Sequence, residues 1–169
     1  MEIREASIEQ IPAIQKLAQE IWPVAYKDIL SSAQLTYMLD KFYSVHSLEQ
    51  QYKDGHHFII AYDSVYDSIL PAGFASYSRK QKASPVFRLH KLYVLSRQQG
   101  KGTGKALLDH VIDKIKKEGA SVLELNVNRN NPAQYFYHKN GFTITKEEDI
   151  DIGNGYFMND FVMERKVSL

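Results

Sequence analysis

The stretch Gln99-Gly100-Lys101-Gly102-Thr103-Gly104-Lys105 follows the apolar run Leu92-Tyr93-Val94-Leu95 after only Ser96-Arg97-Gln98, and it constrains the fold more than any other part of the chain. It reads as a strand that delivers a glycine-dense turn to the start of a helix. Free backbone N–H groups and the helix dipole at such a start together make a site for phosphate. Two common phosphate loops fail on spacing. A Walker loop needs Gly, four residues, then Gly-Lys and Ser or Thr, whereas Gly104-Lys105 is followed by Ala106 and the first-glycine position holds Gln99. A dinucleotide fingerprint fails because its third glycine would fall on Lys105 or Leu107. The pattern that remains is Gln99-x-x-Gly102-x-Gly104, with Arg97-x-x-Gly100-x-Gly102 as a second register. Tight turn geometry alone also accounts for a loop this rich in glycine.

The 169 residues, 44% of them hydrophobic, are enough for one well-formed core, and one domain over 1–169 is expected. Lys and Arg number 21 against 20 Asp and Glu, so no global field points to nucleic acid or an anionic membrane as a partner. The chain has no cysteine, which excludes disulfides, thiolate metal sites and cysteine nucleophiles, and makes a reducing cytoplasm the expected location. No apolar run approaches the ~18 residues of a membrane span. The start, Met1 to Glu5, lacks the apolar core of a signal peptide.

Ile3 marks a short first strand, and Ser7-x-x-Gln10 reads as a capping box before a helix with Ile11, Ile14, Leu17, Ala18 and Ile21 on one face. Ser31-x-x-Gln34 and Ser47-x-x-Gln50 predict helices over 32–43 and 48–53. Strands are expected near 56–62, 72–80 and 86–95, with a turn from Asp67 to Pro71. A helix from Thr103 to Glu118 should end at Gly119. A strand over 122–127, a short helix opened by Asn131-Pro132 and stopped by Asn140-Gly141, and two strands near 142–150 and 156–166 complete the chain, the last two joined by Gly153-Asn154-Gly155. This order predicts a mixed α/β sheet rather than a doubly wound one.

A second pattern stands on that short helix: Asn130-x-x-Ala133-x-x-x-Tyr137-x-x-x-Gly141-Phe142. Ala133 and Tyr137 are four apart and share a helix face, a small residue beside a phenol. Together the two motifs, over residues 87–142, resemble those of the GNAT superfamily of acetyl-CoA-dependent N-acetyltransferases. The resemblance implies a mostly antiparallel sheet of about seven strands flanked by helices, with a splay between the fourth and fifth strands. It implies acetyl-CoA as cosubstrate, its pyrophosphate on the amides of Gln99, Gly100, Lys101, Gly102, Thr103 and Gly104. Its pantetheine arm would bond the backbone of Leu92, Tyr93 and Val94, which would also polarise the thioester carbonyl. Asn130 is implied as a further cofactor contact, although Asn128 and Asn131 stand close by and Asn131 fits equally well as the N-cap. The implied reaction is direct transfer of an acetyl group to an amine, with Tyr137 beside the sulfur as general acid.

Several members of that family carry a glutamate as base on the strand before the loop, where this chain has His90. A histidine with its ordinary pKa near 6.5 can act as base or head a water chain. A histidine in a strand is also commonly structural. His56-His57 invite a metal reading, but no third ligand stands at a useful spacing, so no metal is expected. For the amine, Trp22, Tyr26 and Tyr37 offer aromatic faces and Asp160 a carboxylate, a combination that suits an ammonium. The helical N-terminal part and the Gly153 to Met163 ending resemble PaiA-type polyamine acetyltransferases, which implies a polyamine acceptor. Protein N-terminal or lysine amines are the alternative. A non-catalytic acetyl-CoA-binding module is the alternative from another class. Membership of the family also raises a possible homodimer.

Overall fold

The computed structural model describes residues 1–168. In chain order it contains β1 (Glu2–Glu5), α1 (Ile11–Ala25), α2 (Ser32–Tyr43), α3 (Val45–Lys53), β2 (His57–Val65), β3 (Ser68–Arg79), β4 (Val86–Val94), α4 (Thr103–Lys117), β5 (Val122–Asn128), α5 (Ala133–Lys139), β6 (Thr143–Gly153) and β7 (Tyr156–Lys166). The seven strands form one sheet ordered β1-β2-β3-β4-β5-β7-β6. Every neighbouring pair is antiparallel except β4 with β5. The mixed, mostly antiparallel sheet is as expected, and so is its break: β4 and β5 pair only from Val86↔Val122 to Leu89↔Leu125. Beyond Leu89 the two strands part, while β4 stays paired to β3 and β5 to β7.

Helices cover both faces of the sheet. Because successive strand residues point to opposite faces, Ile59 and Ala61 of β2 meet α4 while Phe58 and Ile60 join α1–α3. α4 buries Leu107, Leu108, Val111, Ile112 and Ile115, each contributing about 1.5–3 kcal/mol on leaving water. α1 buries Ile11, Ile14, Leu17, Ala18 and Ile21, the face read from the sequence. The Ser7 amide donates to Gln10 Oε1 at 2.8 Å, and Pro12 sits in the first turn, where its missing N–H costs nothing.

Three local expectations are corrected. α3 starts at Val45, and its N-cap is Ser44, whose hydroxyl accepts from the Ser47 amide at 3.1 Å; Ser47 therefore lies inside the helix. Ser31 does cap α2, but the Gln34 side chain leaves the cap and donates to the Phe157 carbonyl at 2.8 Å, tying α2 to β7. The β2–β3 turn falls at Tyr66 and Asp67, and Pro71 lies within β3. Pro71 is tolerated there because the register slips beside it, with Tyr62 opposite Pro71 and Ala61 opposite Gly73.

The spacing Tyr137-x-x-x-Gly141-Phe142 has a mechanical reason. Gly141, at φ 87°, ends α5 as its N–H bonds the His138 carbonyl at 3.1 Å and the Phe142 N–H bonds the Tyr137 carbonyl at 3.0 Å. This helix stop brings the residue after the glycine against the one five positions earlier, and the Phe142 and Tyr137 rings stand 5.6 Å apart, edge to face. Gly141→Ala forces an L side chain into a left-handed conformation, a cost of about 1–2 kcal/mol. A urea unfolding curve should show that loss as a lowered midpoint at unchanged slope.

Candidate active site

Where β4 and β5 part, a cavity of about 1130 Å³ opens between α1, α2, β4, β5, α5 and β7. The glycine loop forms one end. Gly100 and Gly102 have φ of 78° and 80°, and Gly102 caps α4, whose first amides are free. Gly104 has a different role. It lies in the first turn of α4, where a Cβ would meet only the Phe136 ring at 3.6 Å and Val94 at 3.8 Å, ordinary contacts. Packing does not demand that glycine, which leaves the backbone bare at the start of α4. An N-terminal turn with spare amides and a bare backbone suits a pyrophosphate.

Leu92, Tyr93 and Val94 line the cavity on the edge of β4 that β5 has left unpaired. Their position depends on a bulge. Ser76 pairs with Lys91 and Tyr77 with Leu89, so His90 is an extra residue with no partner in β3. The bulge reverses the phase of the strand: Leu89 and Leu92 both pack toward α4, and Lys91 and Tyr93 toward α1–α3. The sequence carries a signal of this, since the apolar positions Phe87 and Leu89 are followed by Leu92 and Val94, one residue out of step.

Tyr137, Tyr26, Tyr93, Trp22, Asn131 and Asp160 all line the cavity. Tyr137 is 8% exposed, burial pushes its phenol well above the ordinary value, and no described group bonds its hydroxyl. The Tyr26 and Tyr93 hydroxyls are 2.9 Å apart, and the Trp22 ring lies 4.5 Å from Tyr26 and 5.7 Å from Tyr93. Asn131 caps α5 with its Oδ1 accepting from the Ala133 amide at 2.9 Å. Asn130 is exposed and outside the lining, as is Lys101. Tyr37 is also outside it, its hydroxyl donating to the Ile152 carbonyl at 2.7 Å to fasten α2 to β6.

His90 lines the cavity, but in a setting that favours the neutral ring. Its Nε2 is 2.7 Å from Ser78 Oγ, and His56 stacks on it at 4.0 Å. Burial, with His56, Lys91 and Arg88 adding to it, lowers the His90 pKa to about 3. His57 turns the other way and stacks on Tyr77, and among the described residues no three possible metal ligands cluster.

The sequence reading missed a polar chain beside the cavity. Arg88 donates to Glu124 Oε1 at 2.7 Å and to Asn126 Oδ1 at 2.6 Å; Asn126 Nδ2 in turn reaches Glu148 Oε2 at 3.0 Å and Asp160 Oδ2 at 3.2 Å. It also missed Lys91, which is 8% exposed, donates to Gln51 Oε1 at 2.6 Å, lies 5.1 Å from the Tyr43 ring centre and is lowered by burial to about 8. Polar residues at alternate positions of a central strand, Glu124, Asn126 and Asn128, were the available signal.

Residues 26–158 match the family model described as acetyltransferase (GNAT) domain. The chain belongs to the GNAT acetyltransferases, enzymes that move an acetyl group from acetyl-CoA to an amine. It is 29% identical to the spermidine N(1)-acetyltransferase of Thermoplasma acidophilum, over 98% of this chain and 97% of that one. It is 35% identical over 69 residues to the [ribosomal protein bS18]-alanine N-acetyltransferase of Haemophilus influenzae, covering 41% of this chain and 44% of that protein. Among solved structures, the PaiA N-acetyltransferase of Thermoplasma acidophilum in complex with coenzyme A superposes with a TM-score of 0.77 at 28% identity, covering 98% of both chains. A GCN5-related N-acetyltransferase of Rhodopseudomonas palustris shares the fold, with a TM-score of 0.79 at 21% identity over 98% of this chain and 94% of that one.

The open edge of β4 is held in place by Gly73 of β3, which pairs with Val94. A Cβ there would stand 2.6 Å from the Tyr93 carbonyl oxygen. Gly73→Ala should displace that carbonyl at the overpacking cost of about 1–3 kcal/mol, and titration calorimetry should show coenzyme A binding weakened about tenfold.

Proposed function

We propose that the acceptor is a primary amine of the spermidine type and that Tyr137 is the general acid of the transfer. The observation that carries the acceptor is Asp160, a 5% exposed carboxylate in a cavity walled by Trp22, Tyr26 and Tyr93. A buried carboxylate among aromatic faces suits an ammonium on an aliphatic chain. The printed activity of the Thermoplasma acidophilum relative, matched along nearly the whole chain, supports the same class.

In this reading the amides from Gln99 to Gly104 hold the pyrophosphate of acetyl-CoA, and the β4 backbone from Leu92 to Val94 takes the pantetheine arm. The donor supplies an activated acetyl group as a thioester. Asn131 shapes the start of α5, so that Ala133 leaves room for the arm and Tyr137 stands over the sulfur. The Tyr137 hydroxyl, with its pKa raised by burial, keeps its proton until a thiolate forms beside it. The reading also carries over the cytoplasmic location expected from the lack of cysteine and the homodimer that the family resemblance implies.

Acetyl-CoA-dependent thiol release, followed with spermidine, lysine and peptide N-termini, tests it. Spermidine should turn over, and Tyr137→Phe should cut kcat by about 10²–10⁴-fold with coenzyme A affinity unchanged. Turnover of peptides but not spermidine would replace the acceptor. Coenzyme A binding without turnover of any amine would leave only a binding module.

A further inference from the structure

We propose that Asp160, rather than His90, takes the proton from the incoming ammonium, and that Asn126 is the positioning residue that holds it for this step. The inference rests on the function proposed above. Asp160 Oδ2 accepts from Asn126 Nδ2 at 3.2 Å, whereas no described donor reaches Oδ1. Asp160 lines the cavity together with Tyr137, and its Oδ1 takes part in no described hydrogen bond. Asn126 is fixed from behind by Arg88 at 2.6 Å, which is itself held by Glu124 at 2.7 Å. The carboxylate is thus held on one oxygen and open on the other. His90, by contrast, has its Nε2 on Ser78 and its ring face covered by His56.

The protons balance. An ammonium N–H gives its proton to Asp160 Oδ1, and the freed lone pair forms the C–N bond at the thioester carbon. The C–S bond breaks with its electron pair on sulfur, which takes the Tyr137 proton. The nitrogen sheds its second proton as the amide forms, and Tyr137 recovers it. Asp160 passes its own proton to water, so each turnover releases one proton.

Charges around Asp160 set the pH at which this works. Burial raises its pKa; the Asn126 hydrogen bond lowers it, Glu148 on β6 raises it, and Arg129 after β5 and Arg88 on β4 lower it. Tyr26, which caps the C-terminal end of α1, faces it as a neutral phenol. A raised value brings a carboxylate closer to operating pH, as a general base requires. The rate therefore falls as pH drops through that raised value, and loss of Asn126 moves the fall to higher pH.

The test is the pH dependence of kcat/KM, with kcat and KM read separately, for the wild type, Asp160→Asn and Asn126→Leu, using spermidine or whichever amine turns over. Carbon-13 NMR of the wild-type protein follows the Asp160 carboxyl, and calorimetry of coenzyme A binding checks folding. Asp160→Asn should lose about 100-fold or more in kcat at neutral pH, and its kcat/KM should rise about tenfold per pH unit as the amine deprotonates in solution. Asn126→Leu should shift the acidic limb upward, and the carboxyl should titrate with the wild-type limb. A variant Asp160→Asn that raises KM while keeping kcat makes Asp160 an anchor only and overturns the proposal. So does a carboxyl that titrates away from the limb, a readout that holds even if a variant fails to fold. Turnover lost in His90→Gln and kept in Asp160→Asn also overturns it, in favour of His90. No turnover with any amine overturns the function and this step together, whereas the other outcomes remove this step alone.

Discussion

The pairing of β4 with β5 lasts four residues, from Val86 and Val122 to Leu89 and Leu125, and then stops. Two central strands that part leave backbone N–H and C=O groups without partners, which costs free energy unless something else bonds them. The protein confines that cost to one seam, because β4 stays paired with β3 on either side of the His90 bulge and β5 stays paired with β7. The opened edge then offers to a ligand what a neighbouring strand would have taken. The position of the glycine loop follows, since the unpaired end of β4 runs directly into it. So does the position of Tyr137, which α5 brings across from the other side of the seam.

Devices at both margins keep the seam open. On β4, the unpaired His90 reverses the strand phase, sends Tyr93 toward the aromatic cluster and keeps Leu92 and Val94 in the core under α4. Gly73 lets β3 follow that distorted strand closely. On the β5 side, the Asn131 cap and Pro132 start α5 soon after the strand ends, and the Gly141 stop clamps Phe142 against Tyr137. A short helix locked at both ends holds the Tyr137 phenol in one place.

The parts of this arrangement that were legible in the sequence are the local ones. Gln99 to Gly104 and Tyr137 to Phe142 are contiguous, and their chemistry follows from helix starts and helix stops. Ser44 was missed because Ser47-x-x-Gln50 offered an equally good cap three residues later, and only the packing of α3 chooses between them. Tyr37 resembled a cavity residue by composition, but the Ile152 carbonyl, 115 positions away, claims its hydroxyl. The chain from Arg88 through Asn126 to Asp160 needs strand register, since β4, β5 and β7 bring together residues up to 72 positions apart only once Asn128 lies opposite Asp160.

The same register explains why two cations beside the cavity do not repel an ammonium outright. Arg88 is matched by Glu124, whose carboxylate is 5% exposed and also meets Lys80 at 3.1 Å. Lys91 points into the α1–α3 side, held by Gln51 and faced by Tyr43 and Phe58. With His90 and His56 kept neutral, Asp160 remains a cavity-lining carboxylate with one oxygen free of described hydrogen bonds. Glu20, on the cavity wall, is engaged by Arg97 at 2.7 Å. Under the proposed function, a second ammonium of a polyamine meets no equivalent partner along the wall, and Trp22, Tyr26 and Tyr93 are left to hold the rest of the molecule through their faces. That division places discrimination at the reacting nitrogen and leaves the remainder of the acceptor to apolar and cation–π contact.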